Sequence, residues 1–90
     1  SLIGIDKKGL THSDRQILET VINKYNGGPV GLNTIAASLS EDQATIEEFN
    51  EPYLIQLGFI ERTQRGRVVT ELGYNHAGID YPLDKQHKLI

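Results

Sequence analysis

The 90-residue chain contains no cysteine, no methionine and no tryptophan. Without cysteine there is no disulfide, no thiolate zinc site and no cysteine nucleophile. No apolar run approaches the ~20 residues that a membrane-spanning helix needs, and no secretory signal pattern opens the chain. We therefore expect an intracellular protein without a membrane partner. Because methionine is missing even from position 1, we also expect the chain to be a fragment of a longer protein.

Positive charge is scarce in the middle of the chain. No lysine or arginine lies between Lys24 and Arg62, and this interval carries the acidic residues Glu41, Asp42, Glu47, Glu48, Glu51 and Glu61. Three of the four arginines then fall close together, at Arg62, Arg65 and Arg67. The net charge of −3 argues against a generally basic nucleic-acid binder. The sequence instead predicts one basic spot on an acidic body.

Length and hydrophobic periodicity indicate a single small domain. Ninety residues with 38% hydrophobic content suit one globular unit with a small core. Helical spacing predicts a first helix over about residues 13–25, which Thr11 and Asp14 cap and a Gly-Gly-Pro run ends. A second helix is expected over residues 32–39, with Gly31 as its N-cap and Val30 as a one-residue strand before it.

A third helix is predicted from Asp42, as its N-cap, to Gly58. Pro52 interrupts it, so we expect either a kink near Asn50 or a helix that restarts at Pro52. Two β-prone runs follow at 59–63 and 67–70, and the turn between them contains Gly66, which can adopt a positive φ. A final helix is expected over residues 71–77, ended by Gly78.

This order of elements predicts a mainly α fold, a winged helix-turn-helix with a three-helix core and a β-hairpin wing. A plain three-helix bundle fits the helical periodicity equally well, but the hairpin after Gly58 favours the winged form. We place the domain at residues 11–78. Residues 1–10 are interpreted as a lead-in from an upstream module and residues 79–90 as a C-terminal tail.

Several segments together resemble the C-terminal domain of the RuvB family, the bacterial motors of Holliday-junction branch migration. They are residues 27–36, Thr-Ile-Glu at 45–47, Glu-Pro-Tyr-Leu-Ile-Gln-Leu-Gly-Phe at 51–59 and Arg-Thr-Gln-Arg-Gly-Arg at 62–67. The resemblance covers roughly residues 4–78. Gln64 stands where the family usually has proline, which predicts a looser wing tip.

The resemblance implies an upstream AAA+ ATPase module that uses ATP and Mg²⁺, a hexameric ring on duplex DNA and RuvA as a partner, all in the bacterial cytoplasm. This chain has no G-x-x-x-x-G-K-[ST] motif, and its glycine-rich run at 27–31 lacks the lysine that would reach a phosphate. We therefore expect no enzymatic activity and no bound cofactor in this chain. Because the ring would assemble through the ATPase module, the fragment is expected to be a monomer.

The arginine hairpin is the predicted DNA-binding site. If residues 63–66 form the loop, Arg62 and Arg67 lie opposite each other, and a shared DNA phosphate would relieve their mutual repulsion. Arg65 near the tip would reach a groove or a second phosphate. About three neutralised phosphates would give a log–log salt slope near −3. Pairing of these guanidinium groups with carboxylates of their own domain, such as Glu61 or Glu71, would argue against this mechanism.

The third helix carries too many acids to read bases in a major groove, so we expect little sequence specificity. In an alternative interpretation, this acidic helix docks onto a basic protein partner through Glu47 and Glu51. These two residues, one helical turn apart, are otherwise expected to form a solvated pair rather than a metal site. His12, His76 and His87 lack metal-ligand spacing. The aromatic side chains of Tyr25, Phe49, Tyr53 and Phe59 are expected in the core.

Overall fold

The fold consists of short helices around an apolar core and one two-stranded hairpin. The computed structural model describes residues 10–82. Its helices are α1 (His12–Tyr25), α2 (Leu32–Leu39), α3 (Gln43–Thr45), a π-helical segment (Ile46–Asn50), α4 (Glu51–Gln56) and α5 (Glu71–Ala77), and its strands are β1 (Ile60–Thr63) and β2 (Gly66–Val69). This is the predicted mainly α winged helix, in which the hairpin is the wing.

Helix α1 begins with the predicted capping box. The Thr11 hydroxyl accepts a hydrogen bond from the Asp14 backbone N–H, and the Asp14 carboxylate accepts one from the Thr11 N–H, both at 3.1 Å. These two bonds satisfy donors that the first helical turn leaves without a partner. The helix ends at Asn26, which has a left-handed φ of 55°, and it buries one apolar stripe: Ile17, Leu18, Val21 and Ile22.

The third helical stretch, residues 41–56 with α3, the π-helical segment and α4, is irregular where the sequence predicted a disruption. The backbone N–H of Glu51 donates to the carbonyl of Ile46, five residues earlier, which makes the Ile46–Asn50 segment π-helical. Pro52 follows, and its ring and missing N–H do not fit a regular α-helical turn. The disruption ends at Asn50 as expected, but its form is a π turn. Asp42 occupies the N-cap position without a side-chain bond to the backbone.

The wing is an antiparallel ribbon with a two-residue turn at Gln64 and Arg65. Its register pairs Ile60 with Val69 and Arg62 with Arg67. Val30 forms the predicted one-residue bridge, to Arg67, through backbone bonds of 2.8 and 3.1 Å. Gly66 has a φ of 135°, and an added Cβ would lie 2.6–2.8 Å from the Val30 backbone. The close approach of these two strands therefore requires glycine at position 66.

The core extends beyond the segment that the sequence assigned to the domain. Leu10, interpreted as the last residue of the lead-in, is completely buried. Ile79 and Tyr81, assigned to the tail, pack against the core, and the Tyr81 ring meets that of Tyr74 edge-on at 5.1 Å. Packing thus continues on both sides of 11–78. The remainder of the lead-in and of the tail, residues 1–9 and 83–90, lies outside the described residues.

The aromatic residues divide into buried and exposed. Phe59 is 2% exposed and stacks on His76 with ring centroids 4.8 Å apart. Tyr25 and Tyr53 are half-buried against the core. The expectation that Phe49 lies in the core is wrong, because its side chain is 72% exposed. The π-helical segment changes the direction in which residue 49 faces.

Candidate nucleic-acid interface

Two arginines face each other across the wing, as the sequence predicted. Arg62 in β1 and Arg67 in β2 are direct partners in the register of the ribbon. Directly opposite residues have Cβ atoms about 5 Å apart, close enough for two cations to repel each other. The backbone of Arg67 is also fixed from its other side, by the bridge to Val30. The arginine pair therefore sits at a rigid part of the wing.

A carboxylate of the same domain lies between the two guanidinium groups. One oxygen of Glu51, in α4, accepts a hydrogen bond from Nη2 of Arg62 at 2.9 Å, and the other accepts one from Nε of Arg67. The side chain of Glu51 is only 1% exposed. The expectation that Glu47 and Glu51 form a solvated pair is thus wrong for Glu51, because α4 turns it inward against the wing. Glu47 is exposed.

Burial and the two arginines act in opposite directions on Glu51. Burial raises the pKa of the Glu51 carboxyl, but the hydrogen bonds and positive charges of Arg67 and Arg62 outweigh it and hold the pKa below its ordinary value. The hydrogen bond to Glu51 raises the pKa of Arg67. Glu51 and Arg67 are therefore both ionised at neutral pH. A buried charge that is paired and hydrogen-bonded in this way avoids most of the penalty of burial.

The two arginines differ in what they leave open to solvent. The side chain of Arg67 is 17% exposed, whereas that of Arg62 is 58% exposed. One carboxylate shared by two guanidinium groups leaves the cluster with one net positive charge. The sequence predicted that a shared DNA phosphate relieves the repulsion within this pair, and that pairing with carboxylates of the domain would argue against this mechanism. The shared anion is instead Glu51 of the domain itself, which argues against a direct phosphate contact by Arg67.

Arg65 lies at the tip of the wing and is exposed. The Thr63 hydroxyl accepts a hydrogen bond from the Arg65 backbone N–H at 3.2 Å and donates one to the Gly66 carbonyl at 2.7 Å. These bonds brace the two-residue turn from inside. Among residues 10–82, no carboxylate forms an ion pair with Arg65. Its full charge is therefore available to an external anion.

The surface of the third helical stretch has the opposite charge. Its exposed acids are Glu41, Asp42, Glu47 and Glu48, and the exposed ring of Phe49 follows them directly. Asn50 turns inward instead and donates to the buried carboxylate of Asp14. Consecutive residues of the π-helical segment thus face solvent and core. No basic side chain within this stretch offsets the exposed acids.

An open groove of about 660 Å³ lies between α4 and β1, beside the arginine pair. Its lining includes apolar side chains of both elements, Pro52, Ile55 and Ile60, and the paired residues Glu51 and Arg62. Within residues 10–82, no three His, Asp or Glu side chains come close enough together to hold a metal ion. No helix in the same range has the length and apolarity to cross a membrane.

The sequence predicted Glu51 as a surface acid and did not place it between the arginines of the wing. Glu51 lies eleven residues from Arg62 and sixteen from Arg67 along the chain, so no local pattern connects them. One signal was available: Glu51 precedes the core residue Leu54 by three positions, which places it beside an apolar stripe. A carboxylate in that position needs a cationic partner, and the wing carries the nearest arginines that follow it in the chain.

A helical core followed by a two-stranded hairpin wing defines a winged-helix domain. The family model described as the RuvB C-terminal winged helix domain matches residues 7–78. The chain belongs to this family.

Relatives and solved structures agree with the family. The chain is 59% identical over 85 residues to the Holliday junction branch migration complex subunit RuvB of Limosilactobacillus reuteri, covering 94% of this chain and 25% of that protein. The protein of the same name from Dehalococcoides mccartyi is 54% identical over 84 residues, 93% of this chain and 24% of its own. The structure of the Thermotoga maritima RuvB Holliday junction branch migration motor matches with a TM-score of 0.86 and 52% identity, covering 89% of this chain and 27% of that one. The chain thus spans about a quarter of the length of these proteins.

Proposed function

We propose that this domain holds the sugar-phosphate backbone of duplex DNA through its wing, as the DNA-binding module of a Holliday-junction branch-migration motor. The observation that carries the proposal is the state of Arg65, an exposed cation at the tip of a braced hairpin with no acidic partner among residues 10–82. A guanidinium group carried on a braced turn suits a phosphate, to which it can donate two parallel hydrogen bonds. The names of the relatives support a role at Holliday junctions.

Arg62 is the second contact in this proposal. More than half of its side chain is exposed, and Glu51 engages only its Nη2 atom. The other guanidinium donors remain for a phosphate on the solvent side. Arg67 takes a supporting role, because it is largely covered and its Nε atom is committed to Glu51. The wing thus offers two contacts rather than three, so the expected log–log salt slope is near −2.

The acidic third helical stretch supports a hold that does not depend on base sequence. Glu47 and Glu48 would meet the phosphates on both sides of a major groove if this stretch entered it, and like charges at such distances repel. Contacts to phosphates fix position without reading sequence. A motor that travels along DNA needs a grip of this kind at every base pair.

For the full-length protein we propose the properties that the family resemblance implies. They are an upstream ATPase module that uses ATP and Mg²⁺, a hexameric ring assembled through that module, RuvA as a partner and a place in the bacterial cytoplasm. The present chain would contribute DNA binding without catalysis, and by itself it would be a monomer.

A titration of the 90-residue chain with fluorescent duplex and four-way junction DNA, at several salt concentrations, tests the proposal. We expect salt-dependent binding to both probes, with a slope near −2 that falls toward zero in the Arg62→Gln, Arg65→Gln double variant. Arg15→Gln, which removes an exposed arginine of α1, is the matched control and should change affinity less than twofold. Binding that is insensitive to salt, or equally strong in the double variant, would contradict the proposal.

A protein-docking function through the acidic stretch remains the second candidate, and the exposure of Phe49 favours it. An aromatic side chain that is 72% exposed beside Glu47 and Glu48 is typical of an anchor at a protein interface. Glu51 takes no part in this version because it is buried. In the DNA titration Phe49→Ser should have no effect, whereas loss of a protein partner from that variant alone would favour this candidate.

A further inference from the structure

The position of Glu51 inside the wing has a consequence for the strength of DNA binding. Its carboxylate uses one oxygen for each arginine and is closed off from solvent. No water or dissolved ion can therefore replace it without a rearrangement of α4 against the wing. The charge of Glu51 is a fixed part of the field that a phosphate on the wing would meet.

We propose that Glu51 acts as an internal counter-anion that limits how much positive charge the wing offers to a phosphate backbone. This inference rests on the proposed function, because it concerns the same surface. With Glu51 ionised, the arginine pair presents one net positive charge instead of two. The domain therefore grips DNA less tightly than its arginines alone would allow, as suits a protein that must release and rebind the backbone repeatedly.

The exposed fractions of the three side chains support this role. Glu51 holds Arg67, which is mostly covered, and Arg62, which is mostly open. A purely structural partner for the largely covered Arg67 would need only one of its two oxygens. The second oxygen reaches the arginine that faces solvent, so the same carboxylate that stabilises the wing also reduces the charge on its outer face. Glu51 is thus a positioning residue that acts on DNA through Arg62.

A series of three variants of the 90-residue chain tests the inference by charge. Glu51→Gln leaves two positive charges at the arginine pair, Arg67→Met leaves none, and the double variant leaves one, as in the wild type. We expect Glu51→Gln to bind duplex most tightly, the wild type and the double variant to bind equally and less tightly, and Arg67→Met to bind most weakly. One charge at about 4 Å in water changes affinity about fivefold, and each phosphate neutralised changes the log–log salt slope by about 0.9.

Matched controls separate this effect from folding and from total charge. Glu48→Gln changes the chain's charge by the same amount at an exposed position outside the arginine cluster, and it should change affinity less than twofold. Circular dichroism checks that each variant is folded at the temperature of the titration. The double variant removes both partners of the Glu51–Arg67 ion pair, so it remains a valid test even if Glu51→Gln alone fails to fold.

The outcomes distinguish this inference from the proposed function. If the wild type binds duplex and Glu51→Gln binds no more tightly, or the double variant follows Arg67→Met, the counter-anion role fails and the DNA-binding function stands. If only Glu51→Gln binds, the counter-anion role stands and the proposed grip of the unmodified domain fails. If neither binds at 50 mM salt, both fail. A purely structural Glu51 would lower stability without producing the order of affinities.

Discussion

The wing and the third helical stretch differ in charge, in regularity and in the way their side chains are held. The wing is a regular two-stranded ribbon in which one arginine lies open at the tip. The third helical stretch contains a π turn and exposes acids and one aromatic ring. Glu51 joins the two regions, since it begins α4 and ends between the arginines of the wing. The comparison shows that Glu51, an acidic residue of the third helical stretch, neutralises part of the positive charge of the wing.

The largest expected difference is between the two phenylalanines that flank α4 in the sequence, Phe49 and Phe59. Phe59→Ala should lower the free energy of unfolding by about 3–5 kcal/mol, because its ring is buried and stacked on His76. Phe49→Ala should change it by less than about 0.5 kcal/mol, because that ring is 72% exposed. Urea denaturation of both variants measures the difference. Similar losses in the two variants would contradict the exposure of residue 49.

The second prediction concerns a substitution that disturbs only the wing, at Gly66. Gly66→Ala should cost about 2–3 kcal/mol, because its Cβ would lie 2.6 Å from the Val30 backbone and its φ is 135°. Gly78→Ala is the matched control: its φ of 78° is also positive, but nothing lies within 4 Å of an added Cβ, so it should cost only about 1 kcal/mol. Equal losses measured by urea denaturation would show that the close approach to Val30 contributes nothing.

The third prediction concerns the ion pairs of Glu51, which connect the third helical stretch to the wing. Glu51→Ala should lower the free energy of unfolding by about 2–3 kcal/mol, because it leaves the covered Arg67 without its partner. Glu48→Ala, at an exposed position of the same stretch, should stay within about 0.5 kcal/mol. Thermal unfolding at pH 7 compares them. A Glu51 variant as stable as the Glu48 variant would mean that the ion pairs do not stabilise the fold.

The smallest effect is a pH dependence that belongs to Glu51. Its pKa in the folded chain lies below the ordinary value of 4.5, so the unfolded chain binds the proton first as the pH falls. The resulting stabilisation is present above pH 4.5 and is lost as the pH falls through the lowered value. The stability difference between the wild type and Glu51→Gln should therefore shrink below pH 4.5. A difference that stays constant down to pH 3, measured by urea denaturation, would contradict the pairing.

Local sequence predicted the parts of the fold that local interactions decide. The capping box of α1 lies within four residues, and the register of the wing follows from a short turn and from Gly66. The burial of Phe49 was predicted wrongly, because Ile46, Phe49 and Tyr53 share a stripe only if the helix is regular. A π turn adds one residue and shifts the phase by about 100°, so that Asn50 and Leu54 face the core instead.

The charges of the candidate site could be predicted only in part. The cluster of arginines and the need for a shared anion were visible in the sequence. The identity of that anion depended on how α4 packs against the wing, which the phase shift in the same helix determines. A regular helical spacing counted from Ile46 predicts that Glu51 lies on the surface. In the structure Glu51 is buried, because α4 packs against the wing and brings its carboxylate to Arg62 and Arg67. The role of Arg65 is less sensitive to such shifts, because the tip of a two-residue turn is exposed in any register of this ribbon.

Nuclear magnetic resonance of the ¹⁵N-labelled 90-residue chain, titrated with a short DNA duplex, tests the central claim most directly. We predict that the amide shifts change chiefly at residues 62–67, and that the side-chain Nε signals of Arg62 and Arg65 move more than that of Arg67. Residues 41–49 should remain almost unchanged. Shift changes centred on residues 41–49, or none at the tip of the wing, would contradict the account.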